Sequence, residues 1–170
     1  MNQNHFDPEN MLKGRMAETL VEDLLKQSGN LVYRFGYEAI LQNLTQIEKN
    51  FDRNSDVGQR ISSIPDFVVI GTDDNPVLIE VKFRWDGKTF GDDKKKFEKI
   101  NEFWNAKIII VNKTEKPYFR ISYPPYLDKE GNFVCKPLLD EDCIKINKET
   151  YDKFESLVEK YLKINLVSEK

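Results

Sequence analysis

Acidic and basic side chains interrupt two neighbouring apolar segments of this 170-residue chain. Asp66 opens the first segment directly after Pro65, and the second spans residues 77–83, where Glu80 and Lys82 alternate with apolar residues. Because successive side chains of a strand point to opposite faces, Glu80 and Lys82 share one face. Burying unpaired charges costs several kcal/mol, so a charged pair within an apolar strand indicates a role other than packing.

The combination of two carboxylates with an ammonium group suits a hard divalent cation. If the two segments pair as antiparallel strands, the carboxylates of Asp66 and Glu80 approach each other at one sheet edge. Magnesium takes oxygen ligands, and a bound metal both acidifies water and stabilises charge on a phosphate. A lysine beside that water, here Lys82, can orient it or help to remove its proton. The pattern therefore predicts metal-assisted chemistry on a phosphate group.

Each of these residues also has a simpler explanation. Asp66 could be a turn residue that opens a strand after a proline. Glu80 and Lys82 could form a solvent-facing ion pair on a half-exposed strand, and the spacing of the three residues is a loose pattern by itself. Taken together, in a hairpin with the surrounding elements in the right order, the three residues favour a site.

The segments Pro65-Asp66 and Glu80-Val81-Lys82 resemble the PD-(D/E)XK motif of restriction-endonuclease-like nucleases. The segment Lys13–Glu18, followed by an apolar helical stripe, is similar to the first helix of archaeal Holliday-junction resolvases and their relatives. The resemblance covers roughly residues 13–111. Where the resolvases usually have a small polar residue, this chain has Gly36-Tyr37-Glu38, so the resemblance implies the superfamily rather than junction cleavage.

The resemblance implies a role for each residue of the motif. Asp66 and Glu80 would bind Mg²⁺ or Mn²⁺, with the backbone carbonyl of Val81 as a further ligand. Lys82 would position or activate the attacking water, and Glu18 would complete the metal shell directly or through water. These roles imply a metal-dependent endonuclease or phosphodiesterase acting on nucleic acid, with DNA as the expected substrate. Nucleases that cut both strands often pair, so a two-fold homodimer would suit this activity.

Two acidic residues of the predicted first helix, Glu18 and Glu22, could reach such a site. At about 100° per residue, the apolar stripe runs from Met16 to Leu25, and Glu18 falls at its edge. Glu22 falls further out, where we expect it to face solvent. A carboxylate at the border of the buried face can reach the sheet edge, so we prefer Glu18, for which ordinary surface charge is the alternative.

Basic residues near the motif could contact a nucleic-acid backbone. Three consecutive lysines begin the predicted second helix, although nearby acidic residues slightly favour a solvated helix face. Loop arginines are usually solvated as well, and Trp85, after the motif strand, could stack on a base or pack against the core. The candidates for nucleic-acid contacts are Arg53, Arg60, Arg84, Lys94, Lys95 and Lys96.

Apolar periodicity predicts the elements that position these residues. Their order indicates an α/β fold with a mixed central sheet flanked by helices. Apart from the inserted helix, the order matches the restriction-endonuclease-like core of helix, three strands, helix and strand that the resemblance implies. Segment 52–63 is polar and predicted to be an exposed loop, whereas 115–142 holds only short strands, around 118–122 and 133–136. The other predicted elements are helix 7–27, strand 31–35, inserted helix 37–51, strands 66–70 and 77–83, helix 92–104, strand 107–111 and a C-terminal helix 148–162.

The length and composition suit one soluble globular domain, 1–170, with a core at about 7–112 and a C-terminal extension at 113–170. No apolar run approaches the roughly 20 residues of a membrane helix, and the N-terminus lacks the pattern of a secretory signal. We therefore expect a cytoplasmic protein without membrane contact, and two reduced cysteines. A single histidine nearly excludes zinc chemistry based on histidine ligands.

The formal net charge of −3 argues mildly against strong nonspecific nucleic-acid binding, which depends on lysine and arginine neutralising phosphates. The aromatic-rich C-terminal extension resembles no part of the nuclease pattern. Both features motivate an alternative function, a catalytically inactive protein of this fold that binds nucleic acid or another protein. A divalent-metal site that requires Asp66 would count against this alternative.

Overall fold

The computed structural model describes residues 8–36, 52, 55–84 and 91–163. The predicted inserted helix at 37–51, Arg53 and Trp85 lie outside the described residues. None of the described helices is long and apolar enough to cross a membrane. The elements are α1 (Pro8–Gln27), β1 (Leu31–Arg34), α2 (Asp56–Ser62), β2 (Phe67–Ile70), β3 (Pro76–Phe83), α3 (Gly91–Trp104), β4 (Lys107–Val111), β5 (Phe119–Ser122), β6 (Lys136–Pro137), a 3₁₀ turn (Leu138–Asp140) and α4 (Lys148–Tyr161).

Six strands form one sheet in the order β1-β2-β3-β4-β5-β6. β3 and β4 are parallel, and the other neighbouring strands are antiparallel. Parallel neighbours need a crossover connection, which α3 supplies. The predicted mixed sheet with flanking helices is therefore confirmed, as is the order helix, three strands, helix, strand. The strand predicted around 133–136 is shorter and lies at Lys136–Pro137, because Phe133 instead forms an isolated antiparallel bridge with Leu127.

The two faces of β3 pack against different helices. Ile79 and Val81 belong to the larger hydrophobic core, which α1 and α4 cover. On the opposite face, α3 covers a smaller core that includes Ile108 of β4. The register pairs Ile108 with Glu80, and Lys82 lies two residues further along the same face. Both charged side chains therefore stand beside the α3 core.

A short helix, α2, occupies part of the segment that the sequence predicted to be an exposed loop. Ser55 caps it, since its hydroxyl accepts a hydrogen bond from the Gly58 N–H at 3.0 Å. The indole N–H of Trp104 donates to the Ser63 hydroxyl at 3.3 Å, which joins the end of α2 to the end of α3. The loop prediction was wrong because a polar helix of 7 residues has little apolar periodicity.

The segment between β6 and α4 packs against the beginning of the chain. The buried side chain of Asn30, just after α1, donates to the Lys145 carbonyl at 2.7 Å and accepts from the Lys145 N–H at 2.9 Å. Thr72, after β2, donates its hydroxyl hydrogen to the Asp142 carbonyl at 2.8 Å. These bonds attach the C-terminal third of the chain to both α1 and the β2–β3 hairpin.

Gly71, at the end of β2, lies directly against this C-terminal segment, where a Cβ atom would overlap the Cys143 carbonyl oxygen. We expect Gly71→Ala to lower the free energy of unfolding by more than about 2 kcal/mol, because backbone atoms would have to move. The control is Gly14→Ala in α1, where the new Cβ would meet nothing within 4 Å apart from its chain neighbours and the backbone of its own helix. A gain of up to about 1 kcal/mol is expected there. Urea unfolding measures the free energy of unfolding of both variants. Equal stabilities of the two variants would contradict the close approach of Gly71 to the Cys143 carbonyl.

Candidate active site

Hydrogen bonds on two sides fix Asp66 at the beginning of β2. Its backbone carbonyl accepts from the N–H groups of Phe35 and Gly36, at 2.8 and 3.2 Å, just after β1. Its carboxylate accepts from the Val81 N–H of β3 at 2.7 Å. The carboxylate therefore lies beside the middle residue of the segment 80–82, as the predicted hairpin requires.

Glu80 and Lys82 form a buried ion pair on the α3 face of β3. The Lys82 ammonium contacts the Glu80 carboxylate and lies 3.3 Å from the Val81 carbonyl oxygen. The Glu80 side chain is 5% exposed and the Lys82 side chain 13%. The pair is therefore not the solvent-facing one that the sequence also allowed, since both charges are largely withdrawn from water.

Burial and mutual charge change the proton affinities of these groups. Burial raises the pKa of Asp66 from 3.8 to about 7, and the negative charge of Glu80 adds to the effect. Lys82 and the Val81 N–H lower that pKa without cancelling the increase. Burial lowers the pKa of Lys82, but the charges of Glu80 and Asp66 outweigh it and raise the pKa above its ordinary value. Near neutral pH, Lys82 is protonated and Asp66 is only partly ionised.

α1 brings a further carboxylate, Glu18, toward this group. Glu18 is half-buried, and its negative charge is near enough to raise the pKa of Asp66. The prediction that Glu22 faces solvent was wrong, because its carboxylate is buried and binds both Lys26, at 2.7 Å, and Arg34. The helical pattern could not reveal this arrangement, since the compensating Arg34 comes from β1.

Within the described ranges, no three side chains of His, Cys, Asp or Glu lie close enough together to hold a metal ion. The predicted set of Glu18, Asp66 and Glu80 is therefore not assembled as a site of three carboxylates. The arrangement consists of two neighbouring acids, Asp66 and Glu80, and the Lys82 ammonium in contact with Glu80. Glu18 on α1 acts on Asp66 through its negative charge.

The atoms around the Lys82 ammonium are oxygen donors of the kind that a hard cation takes. The ammonium contacts a carboxylate oxygen of Glu80 and the Val81 carbonyl, and the charge of Asp66 acts on it. Mg²⁺ and Mn²⁺ prefer carboxylate and carbonyl oxygens. The donor chemistry therefore fits such an ion.

Two of the arginines predicted to contact nucleic acid, Arg60 and Arg84, are among the described residues and lie near the ends of α2 and β3. The guanidinium carbon of Arg60 lies 5.0 Å from the centre of the Phe103 ring, so this side chain packs against α3. Arg84 follows β3 and donates a guanidinium hydrogen to the Phe83 carbonyl at 2.7 Å. Neither contact brings a guanidinium to the paired acids.

The three consecutive lysines of α3 have different surroundings. Lys96 lies at the site, with its Nζ 3.7 Å from a carboxylate oxygen of Glu80. Lys94 and Lys95 have exposed side chains and form no ion pair in the part of the chain that is described. The structure thus separates one lysine from a run that the sequence could treat only as a group.

Arg34, the last residue of β1, was not among the predicted residues of the site. Arg34 pairs in register with Phe67, the residue after Asp66. The hydrogen bond to Glu22 raises the pKa of Arg34, and the charges of Glu18 and Asp66 add to the effect. The available signal was a basic residue near the end of one predicted strand and an acidic residue at the beginning of another.

Comparisons with known proteins give matches among solved structures. No protein-family model matches the chain, and a search of curated proteins gives no significant match. Among solved structures, the chain is similar to the Holliday junction resolvase Hjc from Archaeoglobus fulgidus, an archaeal hyperthermophile, with 17% identity and a TM-score of 0.38. The similarity covers 81% of this chain and 97% of the resolvase. A similarity at these values carries no functional argument. Any function proposed for the chain therefore depends on the geometry of the site.

The raised pKa of Asp66 predicts that the metal-free protein loses stability as pH rises. Between the ordinary value of 3.8 and about 7, the folded protein binds a proton more tightly than the unfolded chain, so the free energy of unfolding falls across this interval. We expect Asp66→Asn to remove this dependence and to be more stable than wild type at about pH 8 in a chelator, by roughly 1–4 kcal/mol. Urea unfolding at about pH 5 and pH 8 provides the measurement.

Asp23→Asn, an exposed position on α1, is the matched control and should retain the wild-type dependence on pH. If Asp66→Asn were less stable than wild type at the higher pH, the ionised carboxylate would be a stabilising group, which would contradict the raised pKa of Asp66.

Proposed function

We propose that the protein is a metal-dependent nuclease, a phosphodiesterase that cuts DNA at the site formed by Asp66, Glu80 and Lys82. The observation that carries the proposal is the buried Glu80–Lys82 pair beside an Asp66 carboxylate fixed by the Val81 N–H. Two acids and a lysine in this arrangement are poorly explained by packing, because apolar side chains of similar volume would fill the same positions without a desolvation cost.

Asp66 and Glu80 would hold Mg²⁺ or Mn²⁺ through carboxylate oxygens, with the Val81 carbonyl as a further donor. When bound, such an ion would neutralise charge on a phosphate and make a water molecule more acidic. Glu18 would accept hydrogen bonds from water around these ligands, since its charge reaches Asp66 from α1. The residues of the site are thus assigned as two ligating acids and one supporting acid.

Lys82 would act on the attacking water. Its ammonium contacts Glu80 and lies near enough to Asp66 for that charge to raise its pKa, so a water held near the ligands would lie within reach of its three N–H donors. A protonated lysine so placed would orient the water by hydrogen bonding and donate a proton during the transfer. Since a duplex has two strands, we also propose that two copies act together under two-fold symmetry, which size-exclusion chromatography with light scattering would test.

A noncatalytic nucleic-acid-binding or protein-binding module is the second candidate. The Glu80–Lys82 contact favours it, because Lys82 neutralises one acid without any metal ion. The two candidates differ in whether the acids must bind a divalent ion for the protein to work.

Cleavage assays test the proposed activity directly. Purified protein is incubated with plasmid, linear duplex, single-stranded and branched DNA in Mg²⁺ or Mn²⁺. We expect wild type to cut at least one substrate, and Lys82→Ala to cut it about 10²–10⁴-fold more slowly because the proton-handling group is gone. Lys160→Ala, on the opposite side of the sheet, should cut at the wild-type rate. If no substrate is cut, or if Lys82→Ala is as active as wild type, the nuclease proposal fails.

Calorimetric titration tests the metal site without requiring activity. We expect wild type to bind Mn²⁺ with millimolar or tighter affinity and Asp66→Asn to lose this binding, because the variant lacks one ligating carboxylate. Bound ion should also raise the thermal unfolding temperature of wild type but not of the variant. Asp23→Asn should bind Mn²⁺ normally. Equal Mn²⁺ binding by Asp66→Asn would favour the noncatalytic module.

A further inference from the structure

Lys96 of α3 and Lys82 of β3 approach the same carboxylate oxygen. Lys82 contacts Oε1 of Glu80, and the Nζ of Lys96 lies 3.7 Å from that oxygen. The two lysines come from different elements, and α3 crosses over the face of the sheet on which Glu80 stands. The site is therefore bordered by two ammonium groups rather than the single lysine of the sequence motif.

Helix geometry explains why this lysine alone reaches the site. Ile100, one turn after Lys96, is fully buried in the core beneath α3, and residues four apart lie on the same helix face. Lys94 and Lys95 are rotated by roughly 200° and 100° from Lys96, respectively, at about 100° per residue. Their side chains are exposed. Lys96 is thus the member of the run that extends from the core-facing side toward Glu80.

The exposure of the two lysines differs in the way that a binding role requires. The Lys82 side chain is 13% exposed and is enclosed with Glu80, whereas the Lys96 side chain is 48% exposed. Lys96 therefore approaches the buried Glu80 carboxylate on one side and contacts solvent on the other. A ligand that arrives from solvent would meet Lys96 before it could meet Lys82.

Charge balance indicates what kind of ligand that is. Asp66 and Glu80 carry two negative charges when both are ionised, and Lys82 and Lys96 carry two positive charges. If a divalent ion neutralises the acids, both ammonium groups are left without a counter-charge. An anionic group is then needed at the solvent side of the site, where Lys96 stands. The positive charge of Lys82 lowers the pKa of Lys96, which is consistent with two ammonium groups crowded at one carboxylate.

We infer that Lys96 is the residue through which this site binds a backbone phosphate of its nucleic-acid substrate. The inference rests on the proposed function, since it assigns the substrate contact of the same site. A lysine suits this role because its compact charge on a flexible stem can follow a phosphate oxygen. Lys82, which is enclosed, remains the residue that acts on water.

Binding measurements without catalysis test the inference. Fluorescence anisotropy follows a labelled DNA duplex with a single-stranded tail, in a chelator and in Ca²⁺, which supports binding while avoiding the proposed catalytic ions. We expect Lys96→Ala to weaken binding about tenfold in Ca²⁺ and to reduce the salt dependence by about one phosphate contact. The loss should be smaller in the chelator, because Lys96 is then partly engaged with Glu80.

Matched variants separate this contact from a general effect of charge. Lys95→Ala removes the same charge from the same helix, and a loss of no more than about threefold is expected from weaker long-range attraction. Lys96→Arg should restore most of the affinity, whereas Lys96→Gln, which retains the stem of the side chain, should not. Lys160→Ala should bind as wild type does. Urea unfolding of each variant verifies that the protein remains folded.

The outcomes also distinguish this inference from the proposed activity. If Lys96→Ala binds DNA in Ca²⁺ as tightly as Lys95→Ala, or if wild type binds no DNA, the inference is overturned. If wild type binds DNA through Lys96 but cuts nothing in Mg²⁺ or Mn²⁺, the nuclease proposal fails while the phosphate contact stands.

Discussion

The buried ion pair between Glu80 and Lys82 is the interaction on which the arrangement of the site depends. Withdrawing two charges from water carries a desolvation penalty that their attraction only partly recovers. Replacing such a pair by well-packed apolar residues is often neutral or stabilising by about 1–4 kcal/mol. The pair is therefore a weak contributor to stability, and packing alone does not explain its position beside the α3 core.

The side chains of β3 alternate between the two faces of the sheet, so the strand can hold the charged pair and still contribute to the larger core. One face of the strand contributes Ile79 and Val81 to the larger core under α1 and α4, while the other face holds the charged residues. The apolar residues that stabilise the fold and the charged residues of the site thus lie on opposite faces of β3. The main chain of β3 is paired with β2 on one edge and β4 on the other, so the backbone that carries the charged pair is fixed.

The local part of this arrangement was predictable from the sequence, and the long-range part was not. Alternation in 77–83 and a hairpin starting at Asp66 were sufficient to bring the acids together, because both depend on backbone geometry alone. The orientation of Glu22 could not be predicted, since its partner Arg34 lies on another element. Lys96 could be distinguished from its two neighbours only from the orientation of α3 on the sheet. The run of three lysines does not show which of them faces Glu80.

The hydrogen bonds between Asn30 and Lys145 join residues 115 positions apart, which affects how the chain can fold during synthesis. The amide of Asn30 lacks these partners until most of the polypeptide has left the ribosome. Until then the end of α1 must keep that polar group hydrated, and the interior of the nascent chain cannot close around it. A product of premature termination near residue 112 would therefore present an open seam to chaperones and proteases, even though it contains every residue of the candidate site.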